Sequence, residues 1–259
     1  MTEFSMEGNI PYLLDEEGLA TGLQKNGDTK PLSEVSDIKV VTLYTNMRIS
    51  QNEIPYLRGA VISMVNNNGI LFHDHEGDGF RYSYPLIQYK SIDGKAAIVA
   101  VGQGAEQIKL IFPYLNTEIR IGGRRLSFSL DDICSETVIV GFSEKPITYA
   151  VRHWLPLNQD NFEEYGKLCG LENRCHMLER LMIGNILSFA KSIGIFFDAK
   201  VETDIVDIES IQTYRFKKIN MLGFDLIFKA NVSLPLNIGL GKGVSLGFGT
   251  IYRNHKNED

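Results

Sequence analysis

The sequence predicts an α+β protein of antiparallel sheets, each with helices on one face, and three observations carry that expectation. The run IKVVTLYTNMRI, Ile38 to Ile49, alternates like a strand and is followed by a helical period over Gln51 to Asn66. Two further strand-like runs meet at Asp93-Gly94, the chemistry that a tight hairpin turn favours. The same order of elements then starts again near Thr137.

Taken in order, residues 1–37 form an acidic N-terminal extension, rich in turn formers and without a sustained apolar period. Ile38–Ile49 is rich in Val, Ile, Thr and Tyr, as a strand requires. In Gln51–Asn66 the apolar Leu57, Ala60, Val61, Met64 and Val65 fall on one helical face, and Asn66-Asn67-Asn68-Gly69 ends it. Phe80–Lys90 and Ala96–Val101 make the strand pair, Ala105–Leu115 a second helix, and Glu118–Leu130 a hairpin turning at Gly122-Gly123. This order of strand, helix, strand, strand, helix, strand is the ferredoxin-like (RRM-like) pattern, a four-stranded sheet backed by two helices with an open face that can bind a ligand. Ile147–Leu155, helical Leu171–Ile193, Thr203–Arg215, Phe224–Ser233 and Gly247–Tyr252 repeat it without an evident second helix. The expected division is two tandem domains, residues 38–136 and 137–253, with a polar tail over 254–259. A chain of 259 residues, 44% of them apolar, has enough material for two such cores.

Composition narrows the function classes. No run of 18 apolar residues exists and Met1–Asp15 lacks the basic-then-apolar order of a secretory signal, so the expectation is a cytoplasmic protein that does not contact a membrane. Cys134, Cys169 and Cys175 fit no C-x-x-C spacing and read as reduced, buried thiols. The formal charge of −6 argues at first against a nucleic-acid partner. Residues 1–37, however, hold eight acidic and two basic side chains, which accounts for the whole excess and leaves a neutral body. Local basic patches remain available there: Arg120, Arg124 and Arg125 in one segment, Arg215, Lys217 and Lys218 in another.

Near the end of the chain stands Gly239-Leu-Gly-Lys-Gly-Val-Ser-Leu-Gly-Phe-Gly249, five glycines in eleven positions. Glycine adopts positive φ freely and lets the backbone approach a ligand, so such a loop can present amides to phosphate oxygens. It is not a Walker loop, because Lys242 is followed by Gly243. A turn-rich hairpin before a last strand is the plainer alternative.

The spacing Gly239-Leu240-Gly241, five residues, Gly247-Phe248-Gly249 resembles the glycine-rich loop of the RAMP superfamily of CRISPR-associated proteins, which is built from ferredoxin-like modules. Three further stretches, Ile54 to Val61, Leu71 to Gly77 and Arg81 to Lys90, are similar to the repeat-RNA-processing endoribonucleases within it, where a histidine follows the first helix. The resemblance implies binding of CRISPR repeat RNA hairpins and metal-independent cleavage, in which a ribose 2′-OH attacks the adjacent phosphate and leaves a 2′,3′-cyclic phosphate. It implies no cofactor and no metal ligand. It also raises other CRISPR-associated effector subunits and a second copy of the chain, as a homodimer, as partners.

That chemistry asks for a base, an acid and a cation near the phosphorane. His73 aligns with the family histidine, and His75, two residues on, points the same way in an extended segment. Tyr56 is expected to orient the 2′-OH, and Arg81 or Lys90 to stabilise charge. RNA contacts are expected from Gly239, Gly241, Lys242, Gly243, Gly247, Gly249, Arg124, Arg125, Arg215, Lys217 and Lys218. Asp74, Glu76 and Asp78 crowd the histidines with carboxylates, so a divalent-metal site and a plain exposed loop stay open as alternatives. A non-catalytic RAMP subunit that holds guide RNA is the rival function. His153 and His176 read as packing or surface residues, His255 lies in the polar tail, and Trp154 reads as core before base-stacker.

Overall fold

The structure, a computed structural model, describes residues 35–65, 75–76, 79–80, 84–216 and 218–254. Residues 1–34, His73, Arg81, Lys217 and His255 therefore lie outside the described residues, and for His75 only the backbone is described. β1 (Val35–Arg48) forms where alternation predicts a strand. Ser50 then turns the chain, its amide donating to the Glu53 carboxylate at 2.9 Å as in a capping box, and a 3-10 turn (Gln51–Glu53) leads into α1 (Ile54–Val65). α1 buries Ile54, Leu57, Val61 and Val65, one stripe at helical spacing. Short strands β2 (His75–Glu76) and β3 (Gly79–Phe80) pair with each other.

β4 (Ile87–Ile92) and β5 (Lys95–Val101) form the expected hairpin, and Asp93 and Gly94 both take positive φ, 50° and 74°, the geometry of a primed two-residue turn. The predicted second helix is a short α2 (Gln103–Gln107) that tightens into a 3-10 stretch over Ile108–Tyr114, where Pro113 has no N–H to give. β6 (Thr117–Ile121) and β7 (Arg124–Phe128) make the expected hairpin, but as a separate two-stranded ribbon. The fourth strand of the first half is instead the start of β8, a 25-residue strand from Leu130 to Trp154 that passes through residue 136 without a break.

After β8 come α3 (Gln159–Lys167), capped by Asn158, which accepts from the Asn161 amide at 2.7 Å, and α4 (Leu171–Ser192). β9 (Thr203–Phe216), β10 (Ile219–Ser233) and β11 (Thr250–Arg253) follow. The sheet order is β4-β5-β1-β8-β10-β9, with β11 also on β8. Read as strand 2, 3, 1, 4, the ferredoxin-like order holds twice: β4-β5-β1-β8 in the first half and β9-β10-β8-β11 in the second. One strand thus serves both halves. The second helix of the second half is replaced by the glycine-dense connection between β10 and β11.

Alternation along β1 divides two cores. Val41 and Leu43 pack with α1, whereas Val40 joins Val99, Val101, Val140 and the buried face of α4. Tyr84 meets Phe189 of α4 at 5.2 Å, edge to face. The face of the first sheet expected to stand open is accordingly closed at Val40, Val99 and Val101 by the core shared with α4. Trp154 is fully buried and donates to Asn185 at 2.9 Å, so it is core. The cysteines depart from expectation: Cys134, on the outer edge of β8, and Cys169, in the turn before α4, are exposed.

Candidate active site

The glycine run folds as a compact knot on the sheet. The Leu240 amide donates to Gly249 at 2.9 Å, the Leu246 amide to Gly243 at 2.8 Å, and the Phe248 amide to Gly243 at 3.3 Å. Lys242 and Gly249 reach back to the C-terminal end of β8, donating to the Leu155 and His153 carbonyls at 3.1 Å each. Glycine is required where φ is positive and space is absent. At Gly249, φ is 64° and a Cβ would lie on the Leu240 carbonyl; at Gly241, φ is 85° and a Cβ would stand 2.9 Å from the Trp154 indole nitrogen.

These bonds alter the expected use of the loop. The amides of Gly239, Leu240, Lys242, Leu246, Gly247, Phe248 and Gly249 all donate to groups of the protein itself. The glycine density therefore serves close packing first, and those seven amides are not a phosphate cradle. What the loop turns to solvent is the Lys242 side chain, with Gly241, Gly243 and Ser245 partly exposed around it.

The first half of the chain grips this loop with polar side chains. Tyr84 donates to the Gly239 carbonyl at 2.8 Å and accepts from Gln88 at 2.8 Å, and Gln88 in turn accepts from the Gly239 amide at 2.9 Å. Gln51 donates to the Leu246 carbonyl at 3.0 Å, and Ile54 packs against Gly247. Lys90, expected at a phosphorane, is 1% exposed beneath the loop, where its ammonium meets the Val244 carbonyl at 3.4 Å. Burial lowers its pKa from 10.5 to about 7. Burial likewise raises the Tyr84 hydroxyl above the ordinary phenol range, so it stays a donor. Tyr84, which follows the histidine-bearing stretch directly, is tied to the loop, and Gln51 and Ile54 reach the same loop from the start of α1, whose far end precedes that stretch.

Around this centre the other expected residues distribute unevenly. Tyr56 is 56% exposed on α1, its ring beside Gly122 of the β6–β7 turn. Arg124 is ion-paired with Glu53 at 2.5 Å and also donates to the Arg48 carbonyl at 3.2 Å; the Ser50 amide and Arg124 hold the Glu53 carboxyl below its usual range. Arg125 is solvent-facing, 3.9 Å from Glu118. Arg215 and Lys218 are exposed at the β9–β10 turn. Tyr214 and Phe216 on that hairpin meet Phe248 at 5.8 and 5.7 Å, which sets the turn beside the glycine loop.

Sequence reasoning missed several members of this neighbourhood. His153, expected to be a packing or surface residue, does pack its ring 5.2 Å from Tyr214, and in addition it takes φ of 53°, its amide donates to Asp225 at 2.6 Å and its carbonyl anchors Gly249. A non-glycine residue in the left-handed region is a strained position that no local pattern announces. Tyr84, Gln88 and Gln51 were equally silent, since their partners lie about 150 or more positions away. Among the described residues no group of three or more His, Cys, Asp or Glu side chains could hold a metal ion, and no helix is long and apolar enough to cross a membrane.

Two ferredoxin-like halves sharing one strand, with a glycine-dense loop in place of the last helix, define a protein of the RAMP type. Family comparison matches the Cas6b N-terminal domain over residues 36–139 and the Cas6b C-terminal domain over residues 141–254. A solved structure described as Cas6b aligns with a TM-score of 0.75 and 27% identity, over 85% of this chain and 100% of that one. Another, described as the CRISPR RNA processing endoribonuclease Cas6b, aligns with a TM-score of 0.66 and 26% identity over the same shares. An uncharacterized protein of Methanocaldococcus jannaschii is 31% identical over 114 residues, 44% of this chain and 76% of that protein. The chain belongs to the Cas6b family.

Proposed function

We propose that this chain is an endoribonuclease that binds the hairpins of CRISPR repeat transcripts and cuts them into guide RNAs without a metal ion. A solved family relative carries the description CRISPR RNA processing endoribonuclease. In the proposed reaction a base takes the proton of a ribose 2′-OH, that oxygen attacks the adjacent phosphorus, and an acid protonates the departing 5′-oxygen. The products are a 2′,3′-cyclic phosphate and a free 5′-OH. His73 is the principal acid or base and His75 its partner, Tyr56 orients the 2′-OH, and Arg81 stabilises the phosphorane. Lys90 acts from beneath, by fixing the loop at Val244. Lys242, Arg125, Arg215, Lys217 and Lys218 track the phosphates, with Arg124 shared between RNA and Glu53, and the hairpin is recognised by shape because a duplex of RNA hides its base edges. The two halves, dividing within β8, act as one binding unit, and the product passes to effector subunits.

The observation that carries this reading is the hold of Tyr84 and Gln88 on Gly239, because Tyr84 follows in sequence directly on the stretch bearing both histidines. The test is cleavage of the host's own repeat RNA in excess EDTA. We expect cutting to continue in EDTA, the product to resist phosphatase until its cyclic end is opened, and His73→Ala with His75→Ala to reduce the rate by about 10²-fold or more while hairpin binding stays near native. Full activity in that double variant, or arrest by EDTA, refutes the assignment.

A further inference from the structure

The acidic extension remains unused by the nuclease reading, and the structure offers it a place. A groove of about 600 Å³ opens between α4 and the chain leading into β9. Ile183, Leu187, Phe197 and Val201 give it an apolar floor, and Gly184 leaves a gap in its wall, since a Cβ there would meet nothing within 4 Å. Lys200 and Lys229 stand exposed on the rim, neither of them in an ion pair among the described residues, and Glu179, Glu202 and Asp204 also line the groove, so its charge is mixed. The groove is held open by its own bonds: Asn231 donates to the Lys200 carbonyl at 3.0 Å, and Thr203 to the Glu179 carbonyl at 3.2 Å.

The place where the extension leaves the fold decides the occupant. Val35, the first residue of β1, pairs with Gly141, and the next residue on β8, Phe142, meets Phe197 of the groove wall at 5.2 Å. Lys229 on the groove rim pairs with Thr148, six residues along β8 from Trp154, so the groove lies about 20 Å from the strand end that carries the glycine loop. The extension carries one dense apolar run, Ile10-Pro11-Tyr12-Leu13-Leu14, followed at once by Asp15, Glu16 and Glu17. About 20 residues link it to Val35, a reach of up to about 70 Å. The extension lies outside the family match, which begins at residue 36.

We infer that residues 10–17 fold back onto their own chain, seating the apolar run in the groove between α4 and β9 and setting the three carboxylates against Lys200 and Lys229. Tethering gives the segment an effective concentration on the order of 1 mM, so even a weak intrinsic affinity keeps the groove filled. The same groove would otherwise be an exposed apolar surface of the kind that recruits partners.

Hydrogen–deuterium exchange on the full chain tests this. Amides of residues 12–17 should exchange at least about tenfold more slowly than in a free peptide of the same sequence, as expected when docking is at least about 90% populated. Gly184→Leu, which fills the groove from a helical position with room for a side chain, should return them to the free rate, and so should Lys200→Glu combined with Lys229→Glu. Excess synthetic peptide spanning residues 6–20 should compete and speed their exchange. Exchange at the free rate in the native chain overturns the inference. So does protection that survives Gly184→Leu, or protection that grows with protein concentration, which would mean docking on a second copy. Each readout is independent of RNA cutting.

Discussion

Replacing Lys90 with methionine should change how stability depends on pH. In the folded chain Lys90 is 1% exposed, bonded only weakly to Val244, and its pKa falls from 10.5 to about 7. Below about pH 7 the amine is protonated whether the chain is folded or not, and folding bears the full cost of burying a cation. Between 7 and 10.5 the unfolded chain holds one proton more than the folded one, so stability rises with pH; above 10.5 both states are neutral and the cost is gone. At about 1.4 kcal/mol per pH unit, that window amounts to on the order of 5 kcal/mol. Methionine is unbranched and one atom shorter, fills most of the same space, and gives up one long hydrogen bond, worth about 1 kcal/mol. Lys90→Met should therefore be the more stable protein by several kcal/mol near pH 6, and should lose that advantage by pH 10. Urea unfolding of both proteins across that range measures the difference directly, because every other titrating group cancels. Two parallel curves, or a variant less stable than the native chain near pH 6, would refute the placement of a desolvated ammonium under the loop.

Gly249→Ala should destabilise the protein by more than about 3 kcal/mol, since φ of 64° and the Leu240 carbonyl both oppose a Cβ, whereas Gly59→Ala in α1, with open space around it, should stabilise it by up to about 1 kcal/mol; urea midpoints report both. Tyr84→Phe leaves the Gly239 carbonyl without its donor and removes one of the two acceptors of the Gln88 amide, the Pro85 carbonyl remaining, and should cost about 1–3 kcal/mol, read as a lower midpoint at unchanged m-value. Replacing Arg215, Lys217 and Lys218 together with alanine should make the salt dependence of RNA binding shallower by about 0.7–0.9 in log–log slope per lost phosphate contact, and an unchanged slope would remove them from the interface.

The fold was legible in the sequence wherever periodicity was local. β1, α1, the Asp93-Gly94 hairpin, α4 and β9 fall where alternation, helical stripes and turn chemistry put them. The fourth strand of the first half was not legible as such, because Leu130–Gly141 is an exposed edge whose residues show little alternation of burial, and its continuity with the next strand follows from β1 and β10 pairing along one chain. α3 also escaped notice, as a nine-residue helix burying little besides Tyr165. At the site, the glycine loop announced itself by density alone, but its physical reason differs from the one expected: its backbone packs against Trp154, Leu155 and Leu240, and its amides turn inward. Lys90, expected to stabilise a phosphorane, lies buried, since one buried polar residue in a strand cannot be told from an exposed one without knowing what covers it. Tyr84 and Gln88 became members of the site only through contacts between distant parts of the chain.

The most direct test of the account is a structure of the chain with its repeat RNA, the nucleotide before the cut carrying a 2′-deoxy sugar so that the reaction stops at binding. The account predicts the scissile phosphate within hydrogen-bond reach of an imidazole at residue 73 or 75 and beside the 239–249 loop, with Lys90 still covered. A scissile phosphate seated along the outer edge of β8, or on α4, away from both, would contradict it.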